Sequence, residues 1–167
     1  MTDIWLVRHG EAAAAFDQDT DPPLSDLGRE QAAISAECLS RCVPDDAQLL
    51  TSPKLRAIQT GEPFAALRES PLDIDRRFIE LPSPAALTVR KDWIQRVLKG
   101  RWSELPELVH DWQRDIVATI QALQAPTVIF SHFLVINTVA AHMSGGDAVL
   151  QCLPANGSVH YLRVDED

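Results

Sequence analysis

Short apolar runs separated by longer stretches of helical spacing constrain this chain more than any other feature. Ile4-Trp5-Leu6-Val7, Leu49-Leu50-Thr51 and Thr127 to Phe130 are too short for helices and read as buried strands. Val159 to Val164 reads as a last strand, and Leu72 to Ile79 as an extended segment. Between them lie five helical stretches. Ser25 is placed to cap the first, with Leu27, Ile34 and Cys38 on its inner face. Ser52-Pro53 looks like a cap and first-turn proline for the second, which carries Leu55, Ile58 and Phe64, with Pro63 a point where it could end early. The third runs from Ala85 to Leu98. Leu105, Leu108, Trp112, Ile116, Ile120 and Leu123 form the clearest amphipathic stripe. The fifth, Leu134 to Met143, is ended by Gly145-Gly146. Strands alternating with helices predict an α/β layered fold around a mostly parallel sheet. The 167 residues contain no repeat and no Gly/Ser linker, so residues 1–167 are expected to be one domain.

Charge narrows the partners. Fifteen Lys+Arg against 24 Asp+Glu give a formal charge of -9. So acidic a chain is a poor binder of nucleic acid or anionic membrane, and an anionic ligand would need a local basic cluster. The N-terminus has no basic and apolar leader, and no apolar run approaches a membrane span, so the expected address is the cytoplasm. Cys38, Cys42 and Cys152 are an odd set and read as buried thiols rather than a disulfide framework.

The polar residues that follow the strands supply such a cluster. Arg8-His9 follows the first strand, Ser52 to Arg56 the second, and Ser131-His132 the strand ending at Phe130, while Glu80 ends the extended segment. Open α/β sheets bind ligands beyond the carboxyl ends of their strands. Two imidazoles and two guanidiniums repel a metal cation and suit a tetrahedral oxyanion, so no metal or organic cofactor is expected. Arginine forks match phosphate oxygens. A neutral histidine can attack phosphorus, and a second can donate to the transferring group. A carboxylic acid can protonate the leaving oxygen.

These residues resemble the histidine phosphatase superfamily, which includes cofactor-dependent phosphoglycerate mutases. The resemblance is carried by Leu6-Val7-Arg8-His9-Gly10-Glu11, by Pro23 to Ala32, by Thr51 to Thr60 around Arg56, by Val128 to His132, and by Asn156-Gly157-Ser158-Val159. The blocks stand in family order over nearly the whole chain. The resemblance implies a phosphoglycerate mutase-like, three-layer α/β/α sandwich. It implies that His9 is the nucleophile and that Arg8, Arg56 and His132 complete the phosphate pocket. Glu80, 24 residues after Arg56, matches the family's proton donor by position. Size and the Arg-His-Gly-Glu-Ala start are similar to small bacterial phosphatases, including those acting on phosphohistidine. The expected partner is a phosphorylated small molecule or phosphoprotein, met by a monomer or homodimer.

Two departures stand out. Phe133 follows the second histidine where the family often has glycine, and Glu80 lies in Ile79-Glu80-Leu81-Pro82 rather than a Gly-rich segment. Glu80 can be read as the acid or as a solvated turn residue. Ser52 can cap its helix or hydrogen-bond to and orient His9. Glu11 reads as a partner for one arginine. The pocket wall is expected from Ala12 to Asp21 and from about Leu81 to Trp102. Trp93 and Trp102 read as packing, with lining of a substrate mouth as the alternative. His110, His142 and His160 read as structural, and Asp17, Asp19 and Asp21 as a solvated acidic loop. Three functions follow from this reading: a metal-independent phosphatase working through a phosphohistidine on His9; a mutase-type phosphotransferase; and a phosphate-recognition module without catalysis.

Overall fold

The computed structural model of the chain describes residues 1–83 and 86–165. Among these, β1 (Thr2–Arg8), β2 (Gln48–Thr51), β3 (Asp73–Ile74), β4 (Thr127–Ser131) and β5 (Val159–Val164) form one sheet in the order β3-β2-β4-β1-β5. The first four run parallel, and β5 runs antiparallel to β1. The helices are α1 (Asp26–Ser40), α2 (Leu55–Arg68), α3 (Leu87–Lys99), α4 (Glu107–Gln121) and α5 (Phe133–Ser144).

The strand period of two divides the core into two layers. Trp5, Val7, Val128 and Phe130 point to one side, where they pack with Ala36 and Leu39 of α1 and Phe64 of α2. Ile4, Leu6 and Ile129 point to the other, against Val97 of α3, Trp112, Ile116 and Ile120 of α4, and Val135 and Val139 of α5. The result is the expected three-layer α/β/α sandwich. Every residue of β4, between β1 and β2, is buried. That strand is covered on both faces, which is why its sequence shows no alternation.

The structure corrects several helix faces. In α1, Leu27, Ile34 and Cys38 face solvent, and the buried residues are Gly28, Ala32, Ser35, Ala36 and Leu39. The reason is close approach. A Cβ on Gly28 would lie 2.1 Å from the carbonyl oxygen of Glu11, so the inner face of α1 admits only small side chains at its start. Cys38 and Cys42 are therefore exposed thiols, and Cys152 is half-buried. In α2 the inner face is Ala57, Thr60, Gly61, Phe64 and Ala65 rather than Leu55 and Ile58, and Pro63 sits inside the helix without ending it. In α4, Leu108 is exposed and Val109 takes its place in the core, while Trp112, Ile116 and Ile120 are buried as expected. Only Asp73–Ile74 of the extended segment pairs as a strand, before a 3-10 turn over Arg76–Phe78. Ala85, the expected start of the third helix, lies outside the described residues.

Candidate active site

Sheet register brings the polar residues together. Arg8 pairs with Ser131 across β1 and β4, and Thr51 with Phe130 across β2 and β4. The next residues in each chain segment, His9, Ser52 and His132, therefore emerge side by side at the carboxyl ends of adjacent parallel strands. The His9 and His132 rings stand edge to face with centroids 5.3 Å apart. Arg56, in the first turn of α2, reaches both: its Nε donates to Nε2 of His9 at 3.2 Å, and its Nη2 lies 3.4 Å from Nδ1 of His132.

The backbone of the first motif is held from three directions. The His9 amide donates to Ser131 O, Gly157 N donates to Arg8 O at 3.0 Å, and Asn156 Nδ2 donates to His9 O at 3.3 Å. Gly10 N donates to the Thr60 hydroxyl at 3.0 Å. Gly10 also lies directly against Gly28, where a Cβ would be 2.4 Å from the Gly28 carbonyl oxygen.

This clamp fixes the protonation pattern of His9. Its Nδ1 lies 2.7 Å from Gly10 O. A carbonyl can only accept, so the ring proton sits on Nδ1 and the lone pair on Nε2. Burial, then the Arg56 charge, push the His9 pKa down to about 3, against which the Gly10 bond works. The ring is neutral at ordinary pH. His132 is fully buried, and its pKa is lowered by burial and then by Arg56.

Ser52 meets His132 rather than His9, correcting the expectation that it caps its helix or orients His9. Its Oγ lies 2.7 Å from Nε2 of His132. Lys54 is the N-cap of α2 and makes no side-chain cap bond. The carboxylate of Asp21, from the acidic loop, accepts from Leu55 N at 2.9 Å and supplies the cap instead. Arg56 can only donate, so Nδ1 of His132 accepts and Nε2–H donates to Ser52. The Ser52 hydroxyl can reverse that bond, which moves the ring proton to Nδ1 on the side facing Arg56. Thus Ser52 is the group through which His132 can change tautomer.

Arg8 is half-buried. Its Nη1 donates to Pro154 O at 2.7 Å, and its Nε–H is buried without a hydrogen-bond partner among the described residues. Its guanidinium lies 5.1 Å above the Phe133 ring. Phe133 therefore shelters this arginine from water, which strengthens any bond it makes to an anion. Glu80 is held at the N-terminus of α5. Its Oε1 accepts from Leu81 N at 3.0 Å and its Oε2 from Leu134 N at 3.4 Å. Ser131 Oγ on Phe78 O and Trp112 Nε1 on Ile79 O, both at 2.9 Å, fix the segment leading to it. Burial raises the Glu80 pKa, while backbone amides and the two arginines pull it back.

All of Arg8, His9, Arg56 and Glu80 open on one cleft of about 670 Å³. His132 is fully buried beside His9 and Arg56 and is not part of the cleft lining. The profile of the histidine phosphatase superfamily, branch 1, matches residues 4–167. This chain belongs to that superfamily. Its fold is similar to that of YhfR from Bacillus stearothermophilus, with a TM-score of 0.79 and 22% identity over 99% of this chain and 92% of that one. It is similar to a phosphoserine phosphatase from Entamoeba histolytica bound to 3-phosphoglyceric acid, with a TM-score of 0.75 and 17% identity over 96% and 90% of the two chains. A mycobacterial glucosyl-3-phosphoglycerate phosphatase gives 0.71 and 16% over 98% and 93%. No curated protein sequence matches this chain.

Other groups fall outside the histidine phosphatase cluster. Glu11 accepts from the Ser25 hydroxyl at 2.9 Å rather than serving an arginine, and Ser25 caps α1 as expected. Trp102 is core, whereas Trp93 lines the cleft. Lys54, Arg90 and Phe16 also line it. Lys54 belongs to the Thr51 to Thr60 block, and Phe16 and Arg90 come from the two stretches expected to form the pocket wall. Among the described residues no helix is long and apolar enough to cross a membrane.

Proposed function

We propose that this chain, acting as one domain over residues 1–167, is a metal-independent phosphatase that hydrolyses the phosphomonoester of a small molecule through a phosphohistidine on Nε2 of His9. One observation carries the reading: the Nδ1 proton of His9 is tied to Gly10 O, leaving the Nε2 lone pair among cationic donors in the cleft. Membership of the histidine phosphatase superfamily supports the reaction class.

In the first transfer, Arg56 and Arg8 take the phosphoryl oxygens, so the Arg56 donor leaves the His9 lone pair. Nε2 attacks phosphorus in line, an N–P bond forms and the P–O ester bond breaks. The leaving oxygen takes the proton of Glu80. His132, through Nδ1–H, donates to the equatorial oxygens as charge spreads over them, and Ser52 donates to Nε2 of that ring. In the second transfer Glu80 removes a proton from water, whose oxygen attacks phosphorus. The N–P bond breaks, inorganic phosphate leaves and His9 is again neutral. The arginines supply the positive charge throughout.

The test is hydrolysis of p-nitrophenyl phosphate in EDTA, with rapid-quench trapping of acid-labile phosphate on the protein. Turnover with a label that His9→Ala abolishes is expected, with activity down at least about 10⁴-fold. Full loss of wild-type activity in EDTA, or a label that survives in His9→Ala, would overturn the proposal.

A further inference from the structure

The cleft is far larger than a phosphate group needs, and its outer part has a different chemistry from its floor. Its volume of about 670 Å³ lies in the range of sites that enclose a whole organic ligand. Phe16, Leu81, Trp93, Ile94, Leu98 and Phe133 line the same cleft as Arg8 and Arg56. Phe16 and Trp93 come from segments far apart in sequence, yet their rings stack with centroids 6.4 Å apart and planes 23° from parallel. Arg90, itself buried, lies with its guanidinium 5.6 Å from the Phe16 ring. The loop carrying Phe16 is tied down at both ends. Ala13 N donates to Pro23 O at 2.8 Å, and Lys54 Nζ donates to Thr20 O at 3.1 Å. The wall is thus set in place, although Phe16 remains 37% exposed.

Resting on the phosphatase reading, we infer that the substrate is a phosphomonoester whose alcohol carries a flat apolar ring, and that the ring lies along the Phe16–Trp93 wall while the phosphoryl group sits between Arg8 and Arg56. Two opposed chemistries in one cleft match two ends of one molecule. The six apolar side chains of the wall offer one polar group, the indole N–H of Trp93, and the cleft's further polar lining comes from Asp19, Thr20, Lys54, Ser83, Arg90 and Asn156.

Binding and turnover are measured separately. Binding uses naphthylmethylphosphonate and methylphosphonate, which share the phosphonate head and cannot be hydrolysed. The ring compound is expected to bind about fiftyfold tighter, the factor for roughly 100 Å² of ring surface leaving water. Trp93→Ala should cut that preference about tenfold, and Trp93→Phe should restore most of it. Equal binding of the two phosphonates overturns the inference. So does an equal loss for both in Trp93→Ala, or tighter binding of carboxyethylphosphonate than of the ring compound. Turnover uses naphthylmethyl phosphate and ethyl phosphate, whose leaving oxygens are both alkyl. A ring preference in binding without hydrolysis of either ester keeps the wall and sinks the phosphatase reading. Hydrolysis of both at the same kcat/KM keeps the phosphatase and sinks the wall.

Discussion

The floor of the cleft and its outer wall are built on different principles. The floor hangs from strand ends whose register is set by ladder hydrogen bonds, and from backbone contacts that leave no room for a Cβ at Gly10 or Gly28. The wall is assembled from a loop and a surface helix, joined by ring stacking and a few loop hydrogen bonds. A reaction that needs reacting atoms within tenths of an ångström belongs on the first kind of support. Recognition of a leaving group tolerates the second, and can change without disturbing the fold. On the proposed reading, chemistry is separated from specificity by the rigidity of what carries each.

Glu80 lies where floor and wall meet, and replacing it is the sharpest way to test that separation. Glu80→Gln keeps the shape and the acceptor for Leu81 N but removes the acid. Hydrolysis of alkyl phosphates, whose leaving oxygens need a proton, should fall about 10³-fold, while p-nitrophenyl phosphate should lose about tenfold or less. Steady-state kinetics on the two esters measure the split. Equal losses would remove Glu80 from the acid role. Burial raises its pKa, so wild-type turnover of alkyl esters should decline as pH rises through that raised value. The aryl ester should show the decline less.

The floor also carries a cost that the wall does not, and pH exposes it. His9 titrates near 6.5 when unfolded but at about 3 in the fold, because burial and Arg56 disfavour its charge. Between those values the unfolded chain binds more protons, so stability falls as pH falls, by up to about 1.4 kcal/mol per pH unit for this one group. His132 adds to the slope in the same direction. Glu80, with its raised pKa, acts in the opposite sense as pH rises above the ordinary carboxyl range. His9→Asn removes only the first contribution. Urea unfolding from pH 4 to 6.5 should show the variant losing less stability on acidification than wild type. Parallel curves would mean that His9 is not held neutral.

The floor was legible in the sequence because its residues follow directly on apolar strand runs. Arg8-His9, Arg56 and Ser131-His132 could be placed before any packing was known. Helix faces were not legible to the same degree. In α1 the pattern of large apolar residues, Leu27 and Ile34, pointed to solvent, because a backbone-to-backbone approach selects Gly28, Ala32 and Ala36 instead. The role of Ser52 differs from its sequence reading for a related reason. Its position before a helix suggests a cap, but the sheet register puts its hydroxyl beside His132, and a distant aspartate does the capping. The wall is legible as segments but not as residues. Ala12 to Asp21 and Leu81 to Trp102 are the stretches expected to supply it, and both do, but no motif marks Phe16 or Trp93, and only the folded loop brings the two rings together.

Ser52 gives the smallest expected effect and the finest test of the floor. Ser52→Ala leaves Nε2 of His132 without its partner and fixes no tautomer, yet removes no group that would touch phosphate. Turnover should fall about tenfold, carried by kcat rather than KM, because the His132 donation matters most as charge develops in the transition state. Ser52→Thr, which keeps the hydroxyl, should recover most of the loss if its methyl is tolerated beside Phe130. A loss in both variants that appears wholly in KM would make Ser52 a packing residue and leave the His132 tautomer to Arg56. The wall should not register this change at all. The ratio of ring-bearing to simple alkyl esters is expected to be the same in Ser52→Ala as in wild type, and a shifted ratio would mean that floor and wall are coupled.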